Sequence, residues 1–450
     1  MKKFIVFFLM LFVIIGCRDD DFGNGNNTLQ PVSFKVQTKY DESFENKPSS
    51  GASVTLTNTS TGDVYTQTTD ANGDANFANV IPGNYNILVS RNMSQADFLS
   101  TFGFSSPTQE TAFNGTQENA TINANVNSTV VVLKSSRVGD LVIKQIYYVG
   151  SHATQGANLR DQFIEIFNNS NEVIYADGLY IAQLYGKTNT TVNATSQANG
   201  QFDWSKSLGM TMGSAANTDY VYADYVFRIP GTGTQYPIQP GASIVIAQSA
   251  VNHTAPLLDN SGNPINVQNP ALTIDLSNAN FEAFLGDFRQ SIGLTTFNTD
   301  IQNPAVQDLQ IAFWGRVGYY NGNKDMILDT LGRDSFVIFR ADNFDTFGDY
   351  SDPTVSVIGT NTSFYKQIPN SVIIDGVELQ HYNPNSQRPK MLQGQIDASS
   401  INTDAAFNSQ SVIRKVKTTL SNGRKVLEDT NNTASDFVKL SKANPYGFAP

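Results

Sequence analysis

The chain has 450 residues, too many for one ordinary core, so two or more domains are expected. Hydrophobic residues make up 40% and aromatics 11%, enough to exclude global disorder, while the 15% charged content and abundant Asn, Thr, Ser and Gly suit short strands joined by many turns. The formal charge of −11 disfavours contact with phosphate backbones, so no nucleic-acid partner is expected.

Lys2 and Lys3 precede an apolar run from Phe4 to Ile15 that is too short to span a bilayer as a helix. Residues 1–16 therefore read as an export signal, and its removal would take the charge to about −13. No later stretch approaches about 18 consecutive apolar residues. The single cysteine, Cys17, cannot form an intramolecular disulfide. It is either an incidental thiol or a lipid attachment site. "IIGC" resembles the bacterial lipobox, which implies acylation of Cys17 and anchoring in a lipid bilayer by more than one acyl chain. Residues 17–30 are polar and Gly/Asn-rich, as in a flexible acidic tether. Asp19, Asp20 and Asp21 resemble the surface-export signal of Bacteroidota lipoproteins, implying an outer-membrane location facing the cell exterior. A solvated acidic linker is the alternative.

In residues 31–135, Val32, Phe34 and Val36 alternate with polar residues, as do Tyr85, Ile87 and Val89. "STGD", "DANGD" and "IPGN" supply turns, and "DANGD" is expected to form a hairpin. Thr69 to Gly73 and Phe77 to Val89 resemble the prealbumin-like family that includes carboxypeptidase regulatory-like domains. That resemblance implies a seven-stranded sandwich and is silent about activity. Within the region, Ser94 is placed to cap a short helix carrying Phe98, Leu99 and Phe102.

Residues 137–450 open with "GDLVIKQIYYVGS", followed by "DQFIEIFNNSNEVIYADGLYIAQ" and "YPIQPGASIVIAQSAVNH". Glu165, Asn168, Gly178, Pro240 and Gly241 fall where lamin-tail domains have their motif residues, and the three pieces resemble that immunoglobulin-like sandwich. Gln145 and Phe163 depart from its usual Glu and Trp. Taken with "DLSNANFEAFLGDF" and "EDTNNTASDF", most of Ser33 to Phe437 resembles an uncharacterised family of Bacteroidota lipoproteins, a domain of unknown function. Phe281, Phe284, Leu285 and Phe288 have helical spacing behind Ser277 or Asn278, which predicts a helix there. The stretch from Lys187 to Thr218 reads as an extended surface insertion. The expected fold is therefore mainly β: two β-sandwich domains, the second with long insertions and a few short helices.

Signals for chemistry are sparse. His152, His253 and His381 lie about a hundred or more residues apart, and with one cysteine no metal site is expected. Neither GxSxG nor a phosphate-binding glycine loop occurs, so no catalytic residue and no cofactor are assigned. Asp70, Asn72 and Asp74 alternate as in a calcium loop, but Ala75 and Ile81 stand where an EF-hand needs Gly and Glu. Glu165 interrupts an apolar strand and is either a general acid or base, or a structural acceptor, the reading favoured by the lamin-tail resemblance. Arg414 and Arg424 could pair with Asp429 and Asp436. The remaining candidates for binding are aromatic: Trp204, Tyr220, Tyr222, Tyr319 and Tyr320.

Taken together these readings describe a non-enzymatic, lipid-anchored surface protein acting as a binding or accessory component. Resemblance to surface lipoproteins implies an outer-membrane β-barrel transporter as partner. A glycan-binding module and a hydrolase assembled from dispersed carboxylates and a histidine are the alternatives.

Overall fold

The computed structural model describes residues 30–41, 44–103, 110–137, 140–315 and 326–450. Cys17, the Asp19–Asp21 run, Tyr319 and Tyr320 lie outside these residues, as do the export signal and nearly all of the tether.

The first unit contains β1 (Val32–Tyr40), β2 (Ser53–Asn58), β3 (Val64–Thr68), β4 (Asp74–Val80), β5 (Gly83–Ser94), α1 (Gln95–Phe102), β6 (Glu110–Ile122) and β7 (Ser128–Arg137). Its seven strands run in the order β3-β2-β5-β6-β7-β1-β4; β1 and β7 are parallel, the other pairs antiparallel. The alternation seen in the sequence puts Phe34, Val36 and Tyr40, Val54 and Leu56, and Tyr85, Ile87 and Val89 into one core. Ser94 caps α1, its Oγ accepting from the Asp97 amide at 3.1 Å, and Gly103 ends the helix at φ 80°. Phe98 and Phe102 are buried beside Tyr40 and Phe113, whereas Leu99 faces out. The "DANGD" turn is not a hairpin. Asp70 Oδ1 accepts from the amides of Asn72 and Asp74, but the strands that it joins, β3 and β4, pair with β2 and β1. Gly73, at φ 77°, is required there because a Cβ would lie 2.3 Å from the Thr38 carbonyl oxygen.

The second unit packs two seven-stranded sheets face to face. One orders 307–308, 281–282, 243–247, 163–168, 141–147, 411–414 and 437–440. The other orders 349–350, 365–369, 220–228, 180–184, 335–339 and 373–378, with 310–314 also paired to 220–228. Ile146, Ile164, Ile166 and Val245 from the first sheet meet Ile181, Phe227, Phe336, Ile338 and Val377 from the second. Alternate residues of the second sheet, among them Ala182, Val226, Val337 and Phe339, point the other way into a further core closed by Leu392 and Ile396. Because both faces are covered, Tyr180–Leu184 and Ser335–Phe339 are apolar almost throughout instead of alternating.

Two expectations fail here. Phe281 and Glu282 form a short strand parallel to Ile246–Ala247, and the helix spans only Gly286–Ser291. The helical spacing arose because Phe281 and Leu285 are buried in the same core with Phe288 packed against it, which requires no continuous helix. The stretch 187–218 is not an extended surface insertion either. It folds back through the turns Trp204–Lys206 and Ala215–Thr218 and inserts Phe202, Trp204 and Ala216 into an aromatic cluster with Tyr222 and Tyr365.

Candidate functional site

The polar residues singled out in the sequence fall into two settings, one sealed and one open. Glu165 belongs to the first. Its side chain is fully buried, with Lys144 Nζ at 2.7 Å and the Gln145 amide group and the Tyr446 backbone N–H also donating to it. Desolvation pulls the Lys144 ammonium below its usual range, and the Glu165 carboxylate opposes that shift. Arg414 is also buried and is surrounded by Asp375 (2.7 Å), Asp429 (3.1 Å) and Asp436 (3.2 Å), and its Nε donates to the Ile143 carbonyl. Arg424 does not join this cluster; it donates to the carbonyls of Asn169 and Ser170. Lys144 and Asp375 carried no signal in the sequence, since each is one polar residue on a strand whose partner lies on another strand.

The histidines serve turns. Nδ1 of His152 accepts from the amides of Thr154 and Gln155, and Nδ1 of His381 from the amide of Asn383. His253 is fully buried with Nε2 3.0 Å from the Ser249 carbonyl, and burial pushes its pKa down to about 4, keeping the ring neutral. Two carboxyls that sequence reasoning passed over, Asp161 and Glu282, are each pushed up to about 7 by burial. Tyr147 donates to Asp161 at 3.3 Å, while Glu282 accepts from the backbone amides of Ala250 and Asn303. These groups are perturbed because they are enclosed.

The open setting is a cleft of about 410 Å³ between the two units, within the usual range of ligand sites at about 300–1,000 Å³. Thr116 and Glu118 of β6 and Lys134 of β7 form one wall; Trp204, Tyr220 and Tyr222 and the segment Lys390–Gln395 form the other. Several contacts hold the walls together, these three among them. The Asn114 side chain donates to the Thr430 carbonyl at 3.2 Å, Lys134 pairs with Asp219 at 3.4 Å, and Thr116 abuts Gly394 so closely that a Cβ there would lie 2.5 Å from its Oγ1.

The three described aromatic candidates thus converge on the cleft, although not as free rings. Trp204 stacks on Tyr222 with centroids 3.7 Å apart and planes 9° from parallel, while Phe202 and Tyr365 meet it edge-on. Trp204 and Tyr222 are buried and present only part of their surface to the cleft; Tyr220 is half-buried. The Tyr222 hydroxyl donates to the Ala216 carbonyl and accepts from Gln367. On the opposite wall, burial raises the Glu118 carboxyl above its usual range while Lys390 lowers it.

Comparisons with known proteins match two regions of the chain. Residues 41–127 match the carboxypeptidase regulatory-like domain, and residues 239–444 match a family described as protein of unknown function (DUF4876). A search of curated proteins finds no match. Among solved structures, a DUF4876 family protein from Bacteroides thetaiotaomicron is 23% identical, covers 93% of this chain and 98% of its own, and superposes with a TM-score of 0.51, a likeness of fold. Fervidolysin from Fervidobacterium pennivorans, a keratinolytic enzyme related to subtilisin, is 10% identical over 56% of this chain and 33% of its own; its TM-score of 0.18 supports no inference. Over its two main regions the chain is therefore similar to a carboxypeptidase regulatory-like domain and to the DUF4876 family, whose function is unknown.

Proposed function

We propose that the protein is a non-enzymatic binding or accessory component displayed on the outer face of the outer membrane, anchored through acylated Cys17 and docked on a β-barrel partner. The observation that carries the binding part is the cleft: it is open, whereas Glu165, His253, Asp161 and Glu282 are enclosed and hydrogen-bonded. The anchoring part rests on the lipobox-like "IIGC" and the acidic run behind it. Among the described residues no helix is long and apolar enough to cross a membrane, so attachment through the lipid is the economical account. Metabolic labelling with a radiolabelled fatty acid, combined with protease shaving of whole cells, tests this part. Label at Cys17 and cleavage from outside are expected; an unlabelled or fully protected chain refutes it. Pull-down in mild detergent should recover a β-barrel, and recovery of the monomer alone refutes that partnership.

A further inference from the structure

We infer that the cleft between the two units binds a neutral, hydroxyl-rich ligand, a short uncharged oligosaccharide. The inference rests on reading the protein as a binder and deepens it by naming the ligand class.

Charge excludes the alternatives. The cationic groups of the walls are already engaged: Lys134 pairs with Asp219, and the Lys390 ammonium donates to the carbonyls of Asp397 and Ser399. No free cationic fork is left in the walls to hold a phosphate or sulfate. Glu118 is the carboxylate of the opposite wall; burial raises its pKa and so weakens its hold on a cationic ligand, although Lys390 and the Asn199 hydrogen bond act the other way.

The remaining lining is carboxamide, hydroxyl, aromatic and aliphatic, the last from Val132, Leu184, Val221, Met391 and Leu392. Thr116 and Gln395 bring a hydroxyl and a carboxamide to it, groups suited to sugar hydroxyls, each of which both donates and accepts. Two acceptor oxygens, Asn114 Oδ1 and Gln393 Oε1, are buried without a partner, one in each wall. An unpaired buried acceptor is costly, and a ligand hydroxyl is the kind of donor that would satisfy either one. The half-buried Tyr220, with the little surface that Trp204 and Tyr222 expose, supplies the apolar contact for the C–H face of a pyranose. Trp204 is braced by Tyr222 on one face and edge-on rings around it, so this surface is ordered before any ligand arrives and little entropy is lost on binding. Because the walls come from different units, a ligand there would also stiffen the joint between them.

The test uses the full mature chain in mild detergent on an array of neutral, acidic and amino-sugar oligosaccharides, followed by calorimetry with the strongest neutral binder. Two variants at partly exposed positions, Tyr220→Ala and Gln395→Ala, are compared after circular dichroism confirms that each is folded. The expected result is neutral-glycan binding weakened at least tenfold by each. An array with no neutral binder, a preference for acidic glycans, or affinity unchanged in both Tyr220→Ala and Gln395→Ala each overturns the assignment. Cleavage of an arrayed glycan would instead refute the non-enzymatic reading. Loss of protease shaving on whole cells would refute surface display and leave the cleft assignment standing.

Discussion

Lys144 and Glu165 form an ion pair of 2.7 Å that lies wholly inside the second unit, on adjacent strands of the sheet that begins it. The Lys144 ammonium also sits 4.0 Å from the centre of the Phe448 ring, so residues near the end of the chain roof the pair. Removing one partner leaves a buried charge with nothing to balance it. Glu165→Leu and Lys144→Met are each expected to cost about 3–5 kcal/mol. The double substitution Lys144→Met, Glu165→Leu should cost much less than the sum. Urea unfolding of the four proteins in a mutant cycle measures the coupling; strict additivity would mean that the pair contributes no coupling energy.

Arg414 balances three aspartates, so its loss should be worse than the loss of any one of them. Arg414→Met leaves Asp375, Asp429 and Asp436 enclosed and mutually repelling, and about 3–5 kcal/mol or more of stability should go with it. Arg414→Lys restores the charge but cannot reach the Ile143 carbonyl and three carboxylates together, so rescue should be partial. Thermal melts of both variants against wild type decide this, and a full rescue by lysine would contradict it.

The Asp161 carboxyl titrates near 7 in the fold, well above about 3.9 when unfolded. Between those values the folded state keeps a proton that the unfolded chain has released. Its contribution therefore falls as pH rises from about 4 to about 7 and is flat on either side, a swing on the order of 4 kcal/mol. Asp161→Asn should remove that slope. Relative to wild type, the variant should gain stability steadily as the pH of the unfolding experiment is raised from 4.5 to 7.5; parallel curves would show that Asp161 ionises normally.

Trp204 and Tyr222 should differ in what their loss does. Trp204→Ala deletes the ring at the centre of the aromatic cluster and should cost about 3–5 kcal/mol. Tyr222→Phe keeps the stack and loses only the hydroxyl that links Ala216 and Gln367, a cost of about 1–3 kcal/mol. Near-ultraviolet circular dichroism should lose its exciton-like signal in the first variant and keep it in the second.

Whatever depended on local chemistry could be read from the sequence. Ser94 and Gly103 delimit α1, and alternation in Phe34–Tyr40 and Tyr85–Val89 placed the first core. Arg414 was paired correctly with Asp429 and Asp436, which lie close by in the chain. Its third partner, Asp375, comes from a different sheet and left no trace in spacing. The turn at Asp70–Asp74 was evident, but which strands its flanks would join is decided by the whole sheet and not by the turn. Composition misled at 187–218, where a polar majority hid two aromatic residues that carry the packing. The cleft was invisible because its walls come from segments fifty or more residues apart; only its aromatic members had been noticed.

The strand Ser411–Arg414 lies between Leu141–Tyr147 and Phe437–Leu440, and Arg414 reaches back 271 residues to the Ile143 carbonyl. A chain made and threaded from its N-terminus thus exposes its opening strand long before the neighbour that completes it. Closing so long a span is slow, although its entropic cost grows only logarithmically with length. Until then Asp375 has no countercharge and the sheet has a raw edge. The second unit is therefore incomplete until this strand docks, and residues 411–440 act as its latch.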